Sequence, residues 1–212
     1  MLVPVLLSML FVRSINVRMR IGFAGYLFLV VALCCPLSGS AADDDYAAAG
    51  IALIARHGSS DLIFLVRHHK RSWYEMPGGR RKLAGGANAG QGKQGETAYD
   101  TAIRECHEES RGYLSLEQLR AIIDPARRLQ DGKFVYFVAR IDWFALSEIP
   151  AAPDAKDESM RAFHEAADFA WVAVSRVIDS EDATAVDSTG RRIGIRRQLK
   201  PRLIRAVAAG WL

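Results

Sequence analysis

Apolar positions in the middle of the chain come in short, β-branched runs. IALIAR (51–56) and LIFLVR (62–67) flank HGSSD, whose small and polar residues suit a turn. Such a pair predicts a hairpin of buried strands. KFVYFVARI (133–141) predicts another central strand, and FAWVAV (169–174) a further one. From Thr97 the period changes. Ala98, Ala102, Ile103 and Cys106 fall on one helical arc, and Gly112 follows as the stop. Near the end, Ile195, Leu199, Leu203 and Val207 recur at helical spacing, and Pro201 either kinks that helix or starts a second one. Residues 80–95 hold many glycines and no period, so they read as a flexible insertion. Residues 147–168 are polar and proline-bearing and read as a long loop. Strands interleaved with helices predict an α/β fold of the α+β kind, a mixed sheet covered by helices.

Residues 21–42 follow a different pattern. They carry no charge, come after Arg18 and Arg20, and end in small residues ahead of Asp43, Asp44 and Asp45. A basic flank, an apolar centre and a small-residue exit are the layout of a secretory signal, with SAA (40–42) at the cleavage position. A shorter apolar run, 1–12, precedes it, and Met19 followed by Arg20 would make a conventional signal-peptide start. About 20 apolar residues also suffice to span a bilayer. Two readings therefore stand: a cleaved signal with export to the periplasm or medium, or an uncleaved membrane anchor through 21–42. Either leaves DDDYAAAG (43–50) as a linker and 43–212 as the folded domain.

Composition narrows this only slightly. The chain has 212 residues, half of them hydrophobic and a quarter charged, which suits one domain with its own core. A net charge of +4 is compatible with phosphate-bearing ligands or a membrane surface but too weak to indicate nucleic acid. Of the three cysteines only Cys106 lies beyond residue 42, so the domain has no internal disulfide.

The chemistry concentrates in RECHEES (104–110). Glu105, Glu108 and Glu109 lie within about 100° on a helix, where like charges repel. Either this face is solvated or a cation sits among the carboxylates; hard oxygen donors would favour Mg²⁺ or Mn²⁺.

The surrounding residues bear on that choice. Glu96 stands eight residues before Arg104-Glu105, Cys106 occupies an aliphatic position, Glu108-Glu109 follow, and WYEMPGG (73–79) lies upstream. This resembles the Nudix hydrolase box, G-x5-E-x7-R-E-U-x-E-E-x-G-U, with the strand and P-G-G loop that precede it. Two positions depart from the pattern. Gly79 is 17 residues before Glu96, where the box has a glycine at six, a spacing that Gly90 meets. Gly78-Gly79 are taken as the equivalents and 80–95 as a lengthened loop. Arg111 stands where the box has glycine, with Gly112 next, so the helix is expected to stop one residue late.

The resemblance implies a Nudix-like α/β/α sandwich. It implies a metal-dependent hydrolase that cleaves a phosphoanhydride bond in a nucleoside diphosphate linked to another moiety, with Mg²⁺ or Mn²⁺ as cofactor. Glu105, Glu108, Glu109 and the backbone carbonyl of Gly79 would hold metal, with Glu105 as ligand or general base. Arg104 would orient a carboxylate, and Glu96 would support the loop. Glu165, with Glu158 behind it, is the candidate for a further acidic group. Arg80 and Arg81 could contact phosphate and Trp73 a base. His68 and His69 read as loop surface. The partner implied is a small phosphorylated substrate, and because family members are often dimers a homodimer is one of the states left open. A Nudix-fold module that binds without turnover is the alternative, which the intact Arg104, Glu105, Glu108 and Glu109 disfavour.

Overall fold

The computed structural model describes residues 46–82, 95–154 and 156–212. The apolar segment 21–42 and most of the glycine-rich insertion, including Gly90, lie outside the described residues. Among those described, no helix is long and apolar enough to cross a membrane.

The predicted hairpin forms from β1 (Ala48–His57) and β2 (Ser60–His68), antiparallel with Ile54 opposite Ile63. Gly58 takes a φ of +60° at the turn, a conformation cheap only for glycine. β3 (Trp73–Tyr74) and β4 (Gly78–Arg80) follow, then α1 (Ala98–Glu109) and α2 (Leu116–Ile122). β5 (Arg128–Asp131) and β6 (Phe134–Ile141) precede two short 3₁₀ segments, Leu146–Glu148 and Glu158–His164. β7 (Ala166–Ala173), α3 (Val174–Asp179), β8 (Thr184–Val186), β9 (Arg192–Ile195) and α4 (Leu199–Ala208) complete the chain.

The main sheet runs β5-β6-β1-β2-β7, with β4 also pairing β1, and β3-β9-β8 make a second, smaller sheet. β1 runs parallel to β6 and antiparallel to β2, so the main sheet is mixed. Alternation along its strands builds two cores. Ile51, Leu53, Phe64, Val66 and Phe137 pack under α1 and α2 on one face. Ala52, Ile54, Ile63, Leu65 and Val138 pack under α3, α4 and the small sheet on the other. This is the expected sandwich, and it explains why the central strands are apolar throughout rather than alternating with polar residues.

Several expectations are corrected here. The run from 191 to 209 is not one helix: Arg192–Ile195 is a strand of the small sheet, and α4 starts at Leu199. Pro201 sits in the first turn of α4, where its missing N–H costs no hydrogen bond, so it neither kinks nor divides a helix. The 147–168 region carries the two 3₁₀ segments. α1 ends at Glu109 rather than late. Arg111 itself takes the left-handed conformation, φ +53°, and Gly112 continues it at +75°. Arg111 is held in that conformation by tertiary contacts. It donates to the carbonyls of Pro150 and Ala166, and its guanidinium lies 4.9 Å from the Phe169 ring centre.

Candidate active site

α1 begins at Thr97, whose hydroxyl accepts from the backbone N–H of Asp100. Its buried arc of Ala98, Ala102, Ile103 and Cys106 seats it on the sheet. At about 100° per residue, Glu109 falls inside that arc, between Ala98 and Ala102, and Glu105 lies just outside it. It is therefore the carboxylate the fold covers, only 2% exposed, while Glu105 and Glu108 lie on the flank.

The P-G-G loop closes over these carboxylates because β4 pairs with β1, placing Gly78 opposite Gly50 and Gly79 opposite Ala49. The Gly78 N–H donates to Glu109 Oε2 at 2.8 Å. A Cβ on Gly79 would stand 2.2 Å from Glu105 Oε2, so any side chain there must displace that carboxylate. Gly78 and Gly79 thus pack directly onto the acidic face of α1.

Arg104 organises the acidic face. Its Nε and Nη2 form a fork on Glu96 at 2.7 and 3.0 Å, and Nη1 donates to Glu105 at 2.7 Å and Glu108 at 3.0 Å. Nη2 also donates to the Arg80 carbonyl at 3.1 Å, tying β4 to the helix. Glu96 additionally accepts from the Lys82 N–H and the Thr101 hydroxyl. Burial would raise the Glu96 carboxyl, but Arg104 and these donors more than offset it and hold it below its ordinary value. Glu105 goes the other way: burial raises it, Arg104 pulls it back, and Glu108 and Glu165 add repulsion. Glu109 is also raised, chiefly by burial, against the pull of His68 and the Gly78 N–H.

His68 is not loop surface. Its side chain is 13% exposed, with Nε2 2.8 Å from Glu109 Oε1 and 3.8 Å from Glu75 Oε1. The approach to Glu109 is close but misaligned, and Glu109 Oε1 remains buried without a hydrogen bond. Strand alternation carried the missed signal: Leu62, Phe64 and Val66 face α1, and His68 is next in that series, after a bulge at Arg67/His68. Glu75, buried and contacted by Arg71 and Arg196, was also missed, and no spacing in the sequence marks it.

The other expected residues are placed unevenly. Glu165 reaches the cluster, with Oε2 3.9 Å from His68 Nδ1 and the side chain 64% exposed. Glu158 is far more exposed and pairs with Arg161. The Arg80 side chain makes no ion pair among the described residues. Arg81 lies over the Tyr46 ring and donates to the Glu96 carbonyl, so it braces the loop instead of standing free for phosphate. Trp73 is 40% exposed on β3 in the small sheet, and none of its contacts joins it to the carboxylates.

Among the described residues, no three acidic, histidine or cysteine side chains already converge on one point as a metal cage. The carboxylates turn toward Arg104 and His68 instead. The donor set nonetheless suits a hard divalent cation. It consists of carboxylate oxygens, two of the three carboxylates are raised by burial, and one oxygen is buried and unsatisfied.

A NUDIX domain model matches residues 45–190. The chain belongs to the Nudix family. Solved structures similar to this Nudix protein include a C. elegans Ap4A hydrolase in a binary complex, 17% identical, covering 77% of this chain and 97% of that one at a TM-score of 0.41. A Nudix hydrolase from M. smegmatis, RenU, is 15% identical over 78% of this chain and 88% of that one, at 0.39. A bifunctional NMN adenylyltransferase/ADP ribose pyrophosphatase from Francisella tularensis, complexed with AMP and a Mn ion, is 20% identical over 71% of this chain and 39% of that one, at 0.36. Likenesses this distant carry no argument about activity. No curated protein matched the chain.

Proposed function

We propose that this Nudix protein is a metal-dependent hydrolase that cleaves a phosphoanhydride bond in a nucleoside diphosphate linked to another moiety. The observation that carries the reading is the packing of Gly78-Gly79 onto Glu105 and Glu109 under the Arg104 fork. Family membership supplies pyrophosphate hydrolysis as the general reaction. Glu108 and Glu109, with the Gly79 carbonyl, would hold Mg²⁺ or Mn²⁺, and Glu105 would serve as ligand or general base. The cation would polarise phosphoryl oxygens, offset leaving-group charge and make water more acidic.

The chain's own groups do the positioning. Arg104 fixes the rotamers of Glu105 and Glu108 while Glu96 fixes Arg104. Burial gives Glu105 a raised proton affinity, which suits a base close to the reacting water. Glu165 enters from the 3₁₀ side as a further acidic group. Arg80 is the basic side chain next to Gly79 with its charge uncommitted, whereas Arg81 acts through the loop. Trp73 stays a candidate for stacking on a base.

The test is turnover of nucleoside diphosphate sugars, ADP-ribose, dinucleoside polyphosphates and nucleoside triphosphates with Mg²⁺ or Mn²⁺. Hydrolysis lost in Glu109→Gln supports the reading. Tight binding with no turnover across that panel favours the Nudix-fold binding module instead. Residues 21–42 are read as an export signal, with a retained anchor as the alternative. N-terminal sequencing of the mature protein decides, because a start at or before residue 19 in membrane fractions excludes cleavage. Sedimentation equilibrium distinguishes a monomer from a homodimer.

A further inference from the structure

The connection from β2 to β3 and the 3₁₀ segment before β7 face each other across a cavity of about 390 Å³. Residues 68–71 line one wall, and Arg161, His164 and Glu165 line the other. The cavity adjoins the acidic face directly. His68 belongs to both, with Nε2 2.8 Å from Glu109, and Glu165 stands 3.9 Å from the same ring.

The wall is cationic. Lys70, Arg71 and Arg161 carry permanent charge there against the single carboxylate of Glu165. Buried Glu75 holds Arg71. Lys70 makes no ion pair among the described residues, and Arg161 reaches only the exposed Glu158, at 3.7 Å. His164 donates from Nε2 to the Asp154 carbonyl, 2.7 Å away, which fixes its ring at the edge of the cavity. Solvated surface cations need no ligand. These, however, come from segments some 90 residues apart in the chain and face one cavity from opposite walls, next to the acidic face of α1.

We propose that this cavity is a phosphoryl-binding subsite, so that the preferred substrate carries a phosphoryl group beyond the diphosphate linkage that is cleaved. Lys70 and Arg161 supply charge to the non-bridging oxygens, and the His69 ring supplies a directional donor. The role in turnover rests on the hydrolase reading; the affinity for phosphate does not. The extra group is either a longer phosphate chain or a phosphate monoester on the attached moiety.

Lys70→Ala, Arg161→Ala and the double variant test it, since both side chains are exposed and can be removed without disturbing the core. Calorimetric titration of the full-length protein with inorganic tripolyphosphate in EDTA reads the subsite without metal or turnover. The double variant should bind at least about tenfold more weakly, the loss expected for charge-assisted contacts. Turnover then compares a dinucleoside tetraphosphate with ADP-ribose, and coenzyme A with dephospho-coenzyme A. The double variant should raise KM for the phosphate-richer member of one pair by about tenfold, with kcat and the poorer partner little changed. The pair that responds distinguishes a chain phosphate from a monoester. Unchanged tripolyphosphate affinity, or an equal loss on all four substrates, overturns the subsite. If none of the four is turned over while tripolyphosphate binding still falls in the variants, the hydrolase reading fails and the subsite stands.

Discussion

Replacing Gly79 by alanine addresses the contact that joins the loop to the carboxylates. The new Cβ would lie 2.2 Å from Glu105 Oε2 and 2.3 Å from its Cδ, whereas ordinary contact begins at 3.4 Å. The carboxylate or the loop must therefore move by about 1.2 Å, the difference between those two distances. Gly79 is not among the glycines with positive φ, so the alanine backbone itself is unstrained. Glu105 is held at 2.7 Å by Arg104, and a shift of that size breaks the contact. Misplacing a catalytic group by about 1 Å costs on the order of 10²-fold in rate. The stability cost should be small, about 1–2 kcal/mol of overpacking, because a side-chain end is what yields. Gly78→Ala gives the opposite balance. Its Cβ would stand 2.6 Å from the Ala49 carbonyl oxygen and 2.6 Å from the Gly50 Cα, backbone atoms of a central strand that cannot move alone. That variant should lose more stability than Gly79→Ala, upwards of about 3 kcal/mol. Steady-state hydrolysis, Mn²⁺ affinity by electron paramagnetic resonance, and calorimetric melting read the three effects separately. Gly79→Ala with kcat/KM within about threefold of wild type and unchanged Mn²⁺ affinity would refute the argument.

Three further outcomes are expected. Arg104→Ala leaves part-buried acidic groups without their counter-charge and should cost about 2–3 kcal/mol; added Mg²⁺ should restore more melting temperature to it than to wild type. Arg111→Ala should be less stable than Arg111→Gly by about 1 kcal/mol in urea denaturation, since both lose the carbonyl contacts but only alanine keeps a side chain at positive φ. Asp187 is buried, which alone would raise its carboxyl, yet donors from Thr189 and Arg191 outweigh burial and hold it below its ordinary value. A lowered folded-state value gives stability that is fully present above the ordinary carboxylate pKa and lost as pH falls through the lowered one. The stability gap between wild type and Asp187→Asn should therefore shrink below about pH 4, as read by denaturation at a series of pH values.

The acidic helix was legible in the sequence because its apolar positions are periodic, and the central strands because they are short, apolar, β-branched runs. The arc of Ala98, Ala102, Ile103 and Cys106 identified the buried side of α1, and the same arithmetic placed the three glutamates together. What stayed hidden was short or depended on distant partners. β8 and β9 are three and four residues long, too short to show a period, and helical spacing around Ile195 concealed a strand end. α2 buries only Leu119 among its seven residues, although Ser115 and Gln118 carry a capping-box signature. Arg111 at positive φ was unreadable because its partners, Pro150, Ala166 and Phe169, come from other segments. At the candidate site, Arg104 and the carboxylates followed from the resemblance. His68 needed the strand register, and Glu75 needed its contacts with Arg71 and Arg196.

On the proposed reading, these carboxylates hydrolyse a phosphoanhydride with a divalent cation. Phosphorus NMR of full-length protein and the substrate panel in ¹⁸O-labelled water tests it most directly. With Mg²⁺ or Mn²⁺, each cleaved anhydride should give two new terminal-phosphate resonances, one of them bearing a single labelled oxygen, and neither EDTA-treated protein nor Glu109→Gln should produce them. Anhydride resonances that persist across the panel while the ligands bind tightly would contradict the account.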